Sequence, residues 1–225
     1  MRLPDLHARL LADVLALGSP YPLVITGGYG VQAHELLARP SQDLDVATEN
    51  PAPMDDIVRD LADGLTARGW RIEVIETAPL SARLTAADAA GQECEVDILK
   101  EVFTRPPAVC AYGPVLSEED VIGTKVRALA ERGAPRDALD VFAASRRWTT
   151  SDLEEFGRRH ARDRFDPEAL QTRLTGVLWF DPLEFEQYGA GPDLVDELLA
   201  WAQEWADDIG RRLAGDDVGD DLGDD

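Results

Sequence analysis

Two aspartates one residue apart, Asp43 and Asp45 in "RPSQDLDVATE", follow shortly after a double glycine, Gly27-Gly28. On an extended strand alternate residues share a face, so both carboxylates project together while Leu44 and Val46 point the other way. Like charges held side by side repel, and the pair is costly unless water or a cation neutralises it. A solvated strand face is one reading. The other is a metal site, since Mg2+ takes oxygen ligands and commonly bridges one or two carboxylates to substrate phosphates. The glycines also admit two readings, a tight turn or a phosphate cradle. Without side chains there, backbone amides can approach a phosphate at the positive end of the following helix. Joined by one short helix, the two features are more specific than either alone.

A third carboxylate is available in "ECEVDILK", where Glu93, Glu95 and Asp97 share a strand face. Three acids against one sheet suit the ligand set of a two-metal site, which holds its ions about 3.5–4 Å apart. Asp97 lies deepest in the apolar run and is the preferred third ligand, with Glu95 in reserve. Further on, Lys125 falls on the helix face of Val121, Ile122 and Leu129, an awkward place for an ammonium. Its stem either snorkels to water or carries the charge to a triphosphate. Asp137 and Asp140 share one face of the next helix. Asp137, in the first turn, is explained by capping or an ion pair. Asp140, among Leu139, Val141 and Phe142, has no such explanation.

The elements that must position these residues are legible in the periodicity. Leu6, Leu10, Val14 and Leu17 recur at helical spacing. "YPLVIT" reads as a buried strand, Tyr29 to Ala38 as a short helix and "DLDVAT" as a second strand. Pro53 opens a helix through Arg68 that Gly69 ends. "WRIEVIE", "SARLTAA" and "ECEVDILK" follow as strands, the last two joined by a turn at Ala90-Gly91. From Ser117, placed to cap a helix with Asp120 three residues on, the period stays helical. That helix runs to Arg132, the next from Pro135 to Arg147, and Thr150 or Ser151 caps a third. Others cover 167–178 and 192–213, the last with a core stripe of Leu194, Leu198, Trp201 and Trp205. The fold class expected is α+β: a mixed sheet flanked by helices over 1–115, a helical domain over 116–213, and a disordered acidic tail over 214–225.

Of the 225 residues 44% are hydrophobic, enough for a real core, and no run approaches the length of a membrane span. Asp13 interrupts the apolar stretch at the N-terminus, which argues for a helix over an export signal and for the cytoplasm. Cys94 and Cys110 lack metal-ligand spacing; a reduced pair suits that compartment better than a disulfide. The formal charge of −22 opposes a nucleic-acid partner, yet residues 125–164 hold ten Lys and Arg against seven Asp and Glu. An RNA would meet the protein there, on Arg127, Arg132, Arg146, Arg147, Arg158, Arg159 and Arg162.

"GG", "RPSQDLDV", "VDILKE", "K" and "RDALDVF" follow in an order that resembles the AbiEii-type nucleotidyltransferase toxins, the toxin halves of AbiE and MenT toxin–antitoxin pairs. These belong to the DNA polymerase β-like nucleotidyltransferase superfamily, and aminoglycoside nucleotidyltransferases are cousins. The resemblance covers residues 20–145. It implies a nucleotidyltransferase fold whose helical domain completes the active site. It also implies transfer of an NMP from an NTP with Mg2+, and a cognate antitoxin as partner. Gly27, Gly28 and Tyr29 would bind the nucleotide, Asp43, Asp45 and Asp97 the metal, and Lys125 the triphosphate, with Asp140 as the family's late aspartate. Tyr29 departs from the serine or threonine that often follows the glycines, which weakens the hydroxyl contact expected there. The acceptor implied by the MenT relatives is tRNA. Alternatives are a small, aminoglycoside-like acceptor, which an acidic protein suits electrostatically, or a nucleotide-binding module without turnover.

Overall fold

The structure is a computed structural model that describes residues 1 and 3–215. Most of the acidic tail therefore lies outside the described residues, and Ala214 ends a helix. The chain divides into two compact units, one ending at Thr124 and the other starting at Lys125.

The first unit is built on a seven-stranded sheet. Its strands are β1 (Val24–Ile25), β2 (Asp43–Thr48), β3 (Arg71–Ala78), β4 (Ser81–Ala87), β5 (Glu93–Lys100), β6 (Ala108–Cys110) and β7 (Gly113–Val115). They lie in the order β3-β4-β5-β2-β1-β7-β6, with β2–β5 and β1–β7 parallel and the other pairs antiparallel. Helices α1 (Asp5–Leu17) and α3 (Met54–Ala67) bury one sheet face: Leu10, Leu11, Val14, Ile57, Leu61 and Leu65 meet Leu44, Val46, Leu84, Val96 and Ile98. Strict alternation on β4 and β5 forces the residues between, the acids among them, to the opposite face. Helix α2 (Gly27–Ala33) links β1 to β2. It starts earlier and stops sooner than the sequence suggests, because Glu35 takes a left-handed conformation with φ 56°. Likewise β1 has two residues instead of the six expected from "YPLVIT", and the hairpin β6–β7 was not anticipated.

Helices α4 (Glu118–Glu131), α5 (Pro135–Ala144), α6 (Thr150–His160), α7 (Pro167–Val177), α8 (Pro182–Glu186) and α9 (Pro192–Ala214) follow, and the division between units falls inside α4. Ser117 Oγ accepts the Asp120 N–H at 3.1 Å, as its position suggests. Thr149, one residue ahead of the expected Thr150 or Ser151, caps α6 in a capping box with Asp152. In the helical unit α7 packs along α9, and buried Leu198, Trp205 and Ile209 belong to its core. Glu154, buried on α6, accepts from Trp205 Nε1 at 3.0 Å and from Arg212, tying α9 to α6. Among the described residues no helix is long and apolar enough to cross a membrane.

Candidate active site

Parallel pairing of β2 with β5 sets Asp43 opposite Glu95 and Asp45 opposite Asp97. One oxygen each from Asp43, Asp45 and Asp97 lies within 4.8 Å of the others, and all three residues are half-buried. The geometry thus gathers Asp97, while Glu95 stays exposed. Three hard oxygen donors converging on one face of the β2–β5 pair suit a divalent cation such as Mg2+, which favours carboxylate oxygens. Ser41 and Arg83 are among the neighbours that orient the set. Ser41 Oγ donates to Asp43 Oδ1 at 3.0 Å. Arg83, which sequence reasoning missed, donates Nε to Asp97 Oδ1 and Nη2 to Asp97 Oδ2, each at 2.7 Å. Those hydrogen bonds, and then the carboxylate charge, raise the Arg83 guanidinium well above its ordinary pKa. Beneath the acids Cys94 is buried; burial first, and the Asp43 charge second, push its thiol up to about 12.

The double glycine meets this set directly. Gly27 has φ +58°, and a Cβ there would stand 1.8 Å from Asp45 Oδ2. A Cβ on Gly28 would stand 2.4 Å from Ser41 Oγ, the group that holds Asp43. Only glycine therefore fits either place without shifting an acid or its support. The first helical bond of this turn runs from Gly30 N–H to Thr26 O at 2.8 Å, so the preceding amides open the helix rather than join its ladder. Tyr29 has a different place. Its ring is 1% exposed and its hydroxyl meets His7 Nδ1 at 2.6 Å. Any part Tyr29 takes in nucleotide binding is limited to its backbone amide.

Lys125 and Asp140 both lie in the helical unit and pair with each other. Lys125 Nζ stands 3.0 Å from Asp140 Oδ2, with side chains 9% and 0% exposed. The ammonium does not snorkel to water; the aspartate that lacked an explanation is its counter-charge. Asp137 forms the ion pair expected of it, a fork from Arg132 at 2.7 and 2.9 Å. Most candidate RNA-binding arginines are likewise engaged. Arg158 and Arg159 both hold Glu155, Arg146 holds Glu197, and Arg127 donates to His160 O. Most of these arginines are therefore held by partners within the unit.

The model of one protein family, the nucleotidyl transferase AbiEii toxin of type IV toxin–antitoxin systems, matches residues 9–217. Among solved structures, MenT4, a nucleotidyltransferase toxin from Mycobacterium tuberculosis H37Rv, superimposes with a TM-score of 0.56 at 16% identity, covering 93% of this chain and 92% of that one. JHP933 from Helicobacter pylori gives 0.54 at 17% identity, covering 95% and 97%. At such identities the likeness is one of fold. No curated protein sequence matches the chain. The fold is the α+β nucleotidyltransferase fold, and the chain belongs to the AbiEii nucleotidyltransferase toxin family.

Proposed function

We propose that this nucleotidyltransferase moves a nucleoside monophosphate from an NTP to a hydroxyl of tRNA, with Mg2+ as its metal and a cognate antitoxin as its partner. The observation that carries the reading is the contact of the glycine turn with Asp45, beside three carboxylates converging within 4.8 Å. A turn that brings backbone amides against a cation site suits a metal-bound triphosphate. The type IV toxin–antitoxin description of the family supports the antitoxin.

Asp43, Asp45 and Asp97 would hold Mg2+. When bound, the ion would offset charge on the triphosphate and on the departing pyrophosphate. Gly27 and Gly28 admit the phosphates; for Lys125, whose ammonium Asp140 holds, a triphosphate contact is the role that the family resemblance suggests. An acceptor oxygen bonds to the α-phosphorus as the bond from that phosphorus to the bridging oxygen of the β-phosphate breaks, and pyrophosphate leaves. The glycine turn follows β1, on one side of β2, and β5 lies on the other. The acceptor then approaches from β5, and its proton passes to Asp97 or Glu95.

One observation favours a second reading, a small cationic acceptor. On the open face Glu73, Glu76, Glu93 and Glu95 join Asp97 against Arg71 and Arg83. Such a field steers cations inward and repels phosphates. Each labelled NTP, incubated with the protein, Mg2+ and either total tRNA or a mixture of aminoglycosides, separates the two. Label on tRNA that Asp45→Asn abolishes supports the first reading; label on the aminoglycoside alone supports the second. No transfer to either acceptor would sink both.

A further inference from the structure

Arg83 stands on β4 directly opposite Asp97 and grips both of its oxygens, while Nη1 lies 3.7 Å from Glu95 Oε2. A carboxylate offers about four lone-pair sites, and a bidentate guanidinium takes two of them. Asp97 therefore keeps a free position on each oxygen for a cation while the fork fixes its orientation. The same guanidinium cancels one of the three negative charges gathered within 4.8 Å. With that charge offset, the cluster repels itself less than it would without Arg83, and it also attracts a divalent cation less.

We propose that Arg83 is a positioning residue that holds Asp97 in ligand geometry while keeping the free protein's affinity for divalent metal low. With the carboxylates' own attraction held low, triphosphate oxygens would be needed beside Asp43, Asp45 and Asp97 to hold a divalent ion firmly. The proposal rests on the nucleotidyl-transfer reading above. Its two effects move two observables in opposite directions. Loss of the guanidinium tightens metal binding to the nucleotide-free protein and slows transfer, whereas a merely structural residue would weaken both.

The test is titration of nucleotide-free protein with Mn2+, followed by the free-ion resonance signal, alongside kcat at saturating NTP and Mg2+. Arg83→Met is expected to bind Mn2+ about tenfold tighter than the native protein and to lose about tenfold or more in kcat. Arg83→Lys keeps the charge without the fork; its Mn2+ affinity should stay within about threefold of native while kcat falls. If Arg83→Met fails to fold, the neutral Arg83→Gln takes its place with the same expectations. Affinity for Mn2+ that is unchanged or weaker in a folded neutral variant, yet still lost in Asp45→Asn, overturns the role of Arg83 alone. Binding of Mn2+ that Asp45→Asn leaves intact overturns the metal site, and this proposal with it.

Discussion

Replacing Lys125 by alanine should unfold the helical unit more readily before it says anything about nucleotide. The ammonium is 3.0 Å from a carboxylate with 0% exposed side-chain surface, so its removal leaves a charge buried without that counter-ion. Breaking a buried pair in this way costs about 3–5 kcal/mol. Asp140 has further partners, which places the expectation near the lower end, about 3 kcal/mol. In a chain of 225 residues each kcal/mol moves the midpoint by about 2–4 °C, so the melting temperature should fall by roughly 6–12 °C. Lys125→Met with Asp140→Leu removes both charges and should recover much of that loss while remaining unable to transfer. The assay is a thermal double-mutant cycle read by circular dichroism, with NTP binding by calorimetry on each folded variant. A Lys125→Ala protein that melts like the native one would refute the buried-pair reasoning. A double variant that still binds NTP at native affinity would remove Lys125 from the triphosphate site.

Two other expectations concern the acid set. Gly27→Ala should abolish transfer and weaken Mn2+ binding, because its Cβ would fall 1.8 Å from Asp45 Oδ2; forcing that backbone conformation on alanine costs about 1–3 kcal/mol, which a urea titration would read. Cys94, buried and with its thiol held near 12, should resist alkylation at pH 8 while half-buried Cys110 reacts, giving one modified thiol per folded chain by mass spectrometry and two in denaturant. Because its folded pKa is raised from 9.0, the stability held by that protonated thiol is complete below pH 9 and is lost as pH rises toward 12.

The sequence placed β2, β4 and β5 correctly to the residue, because each alternates cleanly and ends at a turn or a change of period. It made β1 too long and did not anticipate β6, β7 or α8. Elements of two to five residues carry too little periodicity, and these are held by pairing or capping instead. The convergence of Asp43, Asp45 and Asp97 was legible from two strands with acids on alternate positions. Asp97 was preferred to Glu95 for its depth in the apolar run, and the register that sets it opposite Asp45 comes only with the folded sheet. Lys125 and Asp140 each looked out of place alone; that each explains the other needed two helices brought side by side. Arg83 left no trace at all, since one arginine in a half-exposed strand resembles any other until its partner across the ladder is known.

The parallel pairing of β2 with β5 has a further consequence for when the enzyme can exist at all. Parallel neighbours cannot be joined by a hairpin, and here the chain completes α3 and the β3–β4 hairpin before β5 returns beside β2. During synthesis Asp43 and Asp45 thus leave the ribosome long before Asp97, and a nascent chain holds only two of the three acids. Non-local pairing of this kind forms late, after its loop-closure cost has been met. A slip of one residue would turn the acids into the core and Val96 and Ile98 out to water, so near-miss registers are strongly disfavoured. On the proposed reading, a translation product that stops short of β5 would lack Asp97 and one wall of the acid cluster, and no transfer is expected of it.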